Sequence, residues 1–379
     1  MAQDGILKAG LIFCCLLFLA APPVTALADA DAVRPYYVKS GYAKNPLSPP
    51  EGDLNNKNKP GKPPTGGQGG GVAGKTPSDK KSLQNPPSVN NDDDARERGT
   101  GLFPGSRLYP AAIADPRRVA FSGGLRYHDD AFNRFRTRYG TDSRVLGSDR
   151  MFGAVSLGSR LPLYRWDVVK GYLQADIEGC VWALFAFKKP SGWLGDASTL
   201  LNADYYMGFI TSYAYGNLAL QLRFWHMSSH LGDEFLVLYP EIWRKNVSIE
   251  GIDIFASYAI VSQVRLYLGI GCIYHSFKDS RFDPFYMEYG AEIRPFDAIG
   301  IAKNVRFQPF IAAHLKNWQN NHFALRGDYS IGIEFAADRD SFRPKMQLYF
   351  TFSHGPSQEG QFYHFSTTYY SLTLTFQLI

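Results

Sequence analysis

Beyond its first 28 residues the sequence has no run of ~18 consecutive apolar residues, so we expect no membrane-spanning helix in the mature chain. Cysteine is also scarce, with 4 among 379 residues, and Cys14 and Cys15 lie within the predicted leader. Strand alternation predicts that the remaining two, Cys180 and Cys272, face opposite sides of a sheet. We therefore expect neither a disulfide framework nor a metal site built on thiolates.

Other missing features exclude further classes of function. The sequence contains no glycine-rich phosphate loop, no nucleotide-binding fingerprint and no His/Cys cluster with metal-ligand spacing. The formal net charge of +5 is too small to indicate a nucleic-acid-binding protein. We therefore expect no nucleic-acid partner and no firmly assigned cofactor.

The first 28 residues have the pattern of an export signal. Lys8 lies in a short polar start, residues 11–21 form an apolar core, and Ala26-Leu27-Ala28 is a small-residue cleavage site. The apolar core is too short to span a bilayer comfortably. We therefore predict a signal peptide over residues 1–28 and an exported mature chain.

Residues 29–100 are predicted to form a disordered linker. No aromatic residue occurs from 43 to 102, where Pro, Gly, Asn, Ser and Lys dominate. Such a segment cannot bury enough apolar surface to offset the entropy lost on ordering. We expect it to act as a flexible tether in the periplasm.

Aromatic residues become frequent from residue 101 onward, and apolar residues begin to alternate with polar ones. This pattern predicts twelve strands, with 161–170 as a long connection. Their expected bounds are 119–128, 151–160, 171–187, 202–214, 217–228, 246–258, 263–275, 282–296, 305–315, 322–336, 343–354 and 363–378.

Charged residues on one face of these strands favour a membrane barrel. In 322–336, Arg326, Asp328 and Glu334 share a face opposite apolar side chains. Burying such charges inside a small soluble barrel is costly, whereas a transmembrane barrel places apolar residues toward lipid and charges in a polar lumen. We predict an all-β, closed antiparallel transmembrane barrel of about 12 strands over residues 101–379. Alternation alone leaves a soluble β-sandwich open.

The expected connections give the barrel an orientation. A tether in the periplasm places the long 129–150 connection outside, and the Gly216-Asn217 turn is as tight as periplasmic turns usually are. These features predict the outer membrane of a Gram-negative bacterium. The barrel-assembly machinery and outer-membrane lipids or lipopolysaccharide are then the expected partners, while the oligomeric state stays open.

One polar segment interrupts the lipid-facing side of the fifth strand. Leu222 and Phe224 mark that side, and the same parity continues to His226 and Ser228. Residues two apart on one strand face point the same way about 6–7 Å apart, so an imidazole could take the proton of the hydroxyl. The alternative is that both belong to the amphipathic girdle at the membrane interface.

This segment resembles the His-x-Ser site of outer-membrane phospholipase A and of lipid A deacylases, which are also barrels. The resemblance implies that His226 is the base, Ser228 the nucleophile and Glu241 the carboxylate that orients the histidine. Asp233 and Glu234 follow in the sequence, and their carboxylates are a candidate calcium site beside such a pair. A pair of solvated loop carboxylates is the alternative interpretation.

A wider resemblance, from about residue 101 to the end, is to the family known as domain of unknown function 1207. It is carried by Leu102-Phe103-Pro104, Ala114-Asp115-Pro116-Arg117, the segment 228–234, and Gly360-Gln361-Phe362-Tyr363 followed by Tyr369-Tyr370. The resemblance implies an exported outer-membrane barrel and no particular reaction. We therefore predict a structural or membrane-associated barrel of undetermined activity, and a lipid hydrolase and a narrow porin for small solutes are the alternatives.

Overall fold

The structure, a computed structural model, describes residues 100–129, 136–137, 140–141, 150–187, 198–238, 244–302, 305–337 and 345–377. The predicted signal peptide and all but the last residue of the predicted linker lie outside the described residues, so both stay predictions. Among the residues described, no helix has the length and apolar character needed to cross a bilayer.

Twelve long antiparallel strands make up most of the described chain, and each corresponds to a predicted one. They are β1 (Phe121–His128), β2 (Met151–Val168), β3 (Gly171–Ala186), β4 (Thr199–Tyr215), β5 (Leu218–Leu231), β6 (Val247–Val261), β7 (Val264–Ser276), β8 (Phe285–Ile293), β9 (Val305–Trp318), β10 (Leu325–Ala337), β11 (Lys345–Pro356) and β12 (Ser366–Gln377).

The sheet closes on itself. Each strand pairs with the next along the chain, and β12 returns to pair with β1, where Leu372 lies opposite Leu125. Closure satisfies the backbone groups that an open sheet would leave unpaired at its edges. The predicted closed antiparallel twelve-stranded barrel is confirmed, and the β-sandwich alternative is wrong.

The two faces of the wall differ in polarity as the alternation predicted. On β7, Leu268 and Ile270 point outward with 54% and 58% of their surface exposed, whereas Arg265 points inward and is buried. An apolar outer surface and a charged interior fit a barrel whose solvent is lipid. Cys180 faces the lumen and Cys272 the outer surface, and both thiols are free.

Strand β2 is longer than predicted. Residues 161–168 continue the strand, and a two-residue turn at Val169 and Lys170 follows. A β-bulge between Pro162 and Tyr164 shifts the register, so that Arg160 and Arg165 both point inward despite their odd spacing. The prediction of a long connection was wrong because a bulge reverses the parity on which the strand assignment depended.

The two ends of the barrel differ in the length of their connections. Two residues join β2 to β3, β4 to β5, and β6 to β7 at one end, and Gly216 supports its turn with φ of 56°. At the other end more residues separate consecutive strands, as between β1 and β2, between β5 and β6, and between β11 and β12. The C-terminal half of β5, which contains His226 and Ser228, lies toward this long-loop end.

Residues 103–120, which we call the inner segment, lie inside the barrel. The guanidinium of Arg165 donates to the Ser106 carbonyl at 2.8 Å, and the Ile113 amide donates to Glu292 Oε1 at 2.7 Å. Further contacts fix the segment to several strands: Arg265 to Pro110, Arg117 to Asp204, and Arg118 to Gln347. No alternation or motif in the sequence indicates that residues 103–120 fill the lumen.

Residues 357–365, which we call the return loop, fold into the lumen from the long-loop end. The Gly360 amide donates to Asp204, and a Cβ at this position would lie 2.6 Å from Ser229 Cβ, so only glycine fits there. Burial alone raises the pKa of Glu359, but Arg126 and Arg117 outweigh it and hold that pKa well below its ordinary value. The loop therefore carries a charged carboxylate that is paired with the wall.

Several charges that point into the lumen form ion pairs with each other. Arg160 lies 2.8 Å from Asp176, and Arg265 lies 2.5 Å from Glu292. The same holds for Arg223 with Asp253 and for Arg326 with Asp328. Because burying a charge is costly unless it is paired, these ion pairs are part of what makes the filled lumen stable.

Replacing Glu292 with alanine is expected to destabilise the barrel by about 3–5 kcal/mol, because Arg265 is left charged, buried and unpaired. The change also removes the acceptor of the Ile113 amide, so the inner segment loosens. Urea unfolding in detergent micelles, followed by tryptophan fluorescence, measures the loss. Replacing both Arg265 and Glu292 with methionine should cost less than the single change, and a single-variant loss below ~1 kcal/mol would contradict the account.

Candidate functional site

The outer face of β5 keeps an unbroken parity up to its long-loop end. Its register with β4 and with β6 contains no bulge, so His226, Ser228 and His230 point outward with Phe224. Arg223 and Trp225 have the opposite parity and both donate to Asp253 in the lumen. His226 and Ser228 therefore share the lipid-facing side, as their spacing indicated.

A carboxylate lies beside His226. Glu250 is directly opposite His226 on β6, and its Oε1 lies 3.5 Å from His226 Nδ1. Its Oε2 lies 3.0 Å from Nδ1 of His275, which a register shift in β7 turns outward. The three side chains form a partly exposed cluster on the outer surface, in which one ring nitrogen of His226 faces Glu250.

This carboxylate is not the one that the sequence analysis proposed. Glu241 lies outside the described residues, so its role stays a prediction, whereas the carboxylate at His226 is Glu250. One signal in the sequence points to it: Glu250 shares the parity of Ile252 and Ile254, so β6 turns an acidic residue toward lipid. An outward carboxylate beside an outward histidine is unusual enough in a lipid-facing wall to indicate a functional site.

Ser228 is placed between polar neighbours on the adjacent strands. Tyr205 on β4 and Ser248 on β6 lie opposite it in register. In the part of the chain that the structure describes, the Ser228 hydroxyl has no hydrogen-bond partner, and none joins it to His226. With Nδ1 of His226 directed at Glu250, Nε2 is left for the hydroxyl, and such contacts commonly tighten only when substrate binds.

Arg244 provides a positive charge beside His230, which follows Ser228 toward the long-loop end. Arg244 Nη2 donates to His230 Nδ1 at 3.2 Å, and the ring of His230 packs edge-on against Tyr205 with centroids 5.7 Å apart. Arginine and amphipathic aromatic rings suit the headgroup level of a membrane. The edge of the site could therefore contact anionic headgroups.

Asp233 and Glu234 begin a short helix, α1 (Asp233–Leu238), directly after β5, and both side chains are exposed. Acidic residues are favoured in the first turn of a helix by its dipole, which accounts for their position without a metal. Neither belongs to a group of three possible metal ligands among the described residues. Their role in calcium binding stays a prediction.

The fold and site together define a closed barrel of the outer-membrane type with an outward histidine, serine and glutamate near its long-loop end. The chain belongs to the family described as "Protein of unknown function (DUF1207)", whose model matches residues 70–378. The predicted family membership is thereby confirmed. No curated protein matches the chain in sequence.

Solved structures similar to this chain are outer-membrane barrels. Outer membrane phospholipase A from Escherichia coli is 8% identical, with 70% of this chain and 94% of that chain covered at a TM-score of 0.43. The Salmonella typhi phospholipase dimer with bound calcium is 10% identical, with coverages of 69% and 93% at 0.42. LpxR from Salmonella typhimurium is 12% identical, with coverages of 68% and 99% at 0.32. Similarity at this level does not transfer an activity.

Proposed function

We propose that this protein is a hydrolase of lipid esters that acts from the outer surface of its barrel in the bacterial outer membrane. The observation that carries the proposal is the unbroken register of β5 with its neighbours. In this register Ser228, His226 and Glu250 share the outward face of β5 and β6, and Glu250 Oε1 lies 3.5 Å from His226 Nδ1. A lipid can reach these groups by diffusing within the membrane.

The proposed reaction begins with proton transfer from Ser228 Oγ to His226 Nε2. The oxygen attacks the ester carbonyl carbon, the carbon–oxygen bond of the ester breaks, and the imidazolium returns the proton to the departing alkoxide. Water then hydrolyses the acyl-serine and releases a fatty acid. Glu250, whose Oε1 lies 3.5 Å from His226 Nδ1, keeps its negative charge and stabilises the imidazolium in both steps.

The proposed substrate is a phospholipid or the lipid part of lipopolysaccharide in the outer leaflet. With the linker in the periplasm, the long-loop end of the barrel faces outward, and Arg244 beside His230 can hold a lipid phosphate. The same proposal includes two further features. The barrel-assembly machinery inserts the protein into the outer membrane, and Asp233 and Glu234 bind calcium.

The contents of the lumen count against the porin alternative. The inner segment and the return loop meet inside the barrel, where Arg117 donates to the Gln358 carbonyl and lies 2.5 Å from Asp204. On the inner wall, Arg160 is paired with Asp176 and Arg265 with Glu292. Passage of solutes would require these contacts to break.

The test is fatty-acid release by purified, folded protein from phospholipid vesicles and from lipopolysaccharide. Folded Ser228→Ala protein is the blank, and each assay is run with calcium and with a chelator. Release from either substrate by the wild type above this blank is the expected result. No release from either lipid, by protein whose gel mobility changes on heating as a folded barrel's does, would leave a structural barrel. Release that depends on calcium would support the predicted calcium role.

A further inference from the structure

A second cluster of ionisable side chains lies inside the barrel, on the opposite side of the wall from the proposed active site. It comprises Asp115 of the inner segment, Glu288 of β8 and His314 of β9. His314 and Glu288 are almost fully buried, with side chains 2% and 8% exposed. One ligand atom from each residue lies within 4.8 Å of the other two.

The hydrogen bonds of His314 leave its second ring nitrogen facing the carboxylates. Tyr267 Oη lies 3.3 Å from the Ala313 carbonyl and 3.0 Å from His314 Nδ1. A hydroxyl that donates to the carbonyl can only accept from Nδ1, so the Nε2 lone pair points away from Tyr267. Metal-binding histidines are commonly fixed in this way by a partner on the other nitrogen.

The gap between the three groups suits an ion better than a direct hydrogen bond. Nε2 lies 3.8 Å from Asp115 Oδ1 and 3.9 Å from Glu288 Oε2, beyond the ~2.7–3.2 Å of an N–H···O bond. Ligands about 2.0–2.2 Å from a tetrahedral zinc ion lie roughly 3.3–3.6 Å apart. A small inward movement of the side chains would complete such a site.

Neighbouring groups already orient both carboxylates. Lys316 Nζ lies 2.6 Å from Glu288 Oε1, which leaves Oε2 facing His314. The Arg117 amide donates at 2.8 Å to Asp115 Oδ1, the oxygen that faces His314, and fixes that side chain within its turn. The Lys316 contact is typical of a metal-binding carboxylate, whose second oxygen is usually held by an outer partner.

We propose that Asp115, Glu288 and His314 bind one divalent transition-metal ion of the zinc class inside the barrel. All three line a lumen cavity of about 160 Å³, which would give a water molecule or a small anion room to act as a fourth ligand. Because Asp115 belongs to the inner segment while the other two belong to the wall, the ion would pin the segment in place.

The test is zinc retention by full-length, refolded protein without a histidine tag. The protein is incubated with zinc chloride, passed through a desalting column and analysed for metal by mass spectrometry. One zinc ion per chain is expected for the wild type, and both His314→Ala and Asp115→Asn should lose it. Asp115 is outside the strands, so its replacement leaves the barrel wall intact.

Two controls separate this site from others. Glu334→Gln changes a buried lumen carboxylate outside the cluster and should retain the ion. Glu250→Gln with His275→Ala disrupts the outer-surface cluster and should also retain it. The proposal would be overturned if Asp115→Asn and His314→Ala retained zinc while the outer-surface variant lost it. A wild type that retains no zinc would also overturn it. Added zinc should also raise the unfolding temperature of the wild type and not that of Asp115→Asn.

Discussion

Replacing Ser228 with alanine is expected to lower fatty-acid release by roughly 10⁴-fold or more, because the nucleophile is lost and no neighbour can substitute for it. Ser248 on β6 lies directly opposite Ser228 and also points outward. It is diagonal to His226, whose own partner in register is Glu250, two residues further along β6. Ser248→Ala is therefore a matched control that should keep nearly full activity. Equal losses in the two variants would contradict the assignment of the nucleophile.

The proposed site also predicts how strongly other substitutions lower fatty-acid release. His226→Ala should match Ser228→Ala, because residues that act as a unit fail together. Glu250→Gln should lose about 10²- to 10⁴-fold, since the neutral amide still fills the space but stabilises the imidazolium less. His275→Ala removes the competing partner of Glu250 and should leave release largely intact. A Glu250→Gln enzyme as active as the wild type would assign Glu250 to the interfacial girdle.

Removing residues 103–118 is expected to convert a closed barrel into a conducting one. The segment supplies contacts to five strands and fills the lumen, so its loss leaves a wall lined with charged side chains and water. Single-channel recording in planar bilayers should show conductance near leak for the full chain and roughly tenfold or more above leak for the deletion.

The matched control for this experiment is deletion of residues 43–99, which lie outside the barrel sequence and should leave the conductance near leak. If the larger change prevents folding, Arg117→Ala with Arg265→Ala releases the inner segment from Asp204, Gln358 and Pro110 without shortening the chain. A folded deletion that remains closed would show that the return loop alone seals the lumen.

The sequence was sufficient to predict the barrel because two-residue alternation is a local signal. Arg265 and Leu266 on β7, or Asp328 and Tyr329 on β10, fall on the faces that their parity predicted. The failure at residues 161–168 has a local cause too, since the bulge after Pro162 cannot be read from polarity alone.

Long-range features were harder to predict. The inner segment contacts partners more than 150 residues away, as in the bond from Ile113 to Glu292, and no periodicity encodes such a contact. The pairing of His226 with Glu250 depends on the register between β5 and β6, and the length of the connection between these two strands does not fix that register. Parity predicted which way His226 and Ser228 point, but only register identified the carboxylate beside them.

The most direct test of the proposed function is covalent labelling of the folded protein with a fluorophosphonate, followed by peptide mass spectrometry. An activated serine displaces fluoride and keeps the phosphonyl group, whereas an ordinary hydroxyl does not react. The account predicts one label, on the peptide that carries Ser228, in the wild type and in Ser248→Ala, and none in His226→Ala or Ser228→Ala. A folded wild type that stays unlabelled, or that is labelled equally after His226→Ala, would contradict it.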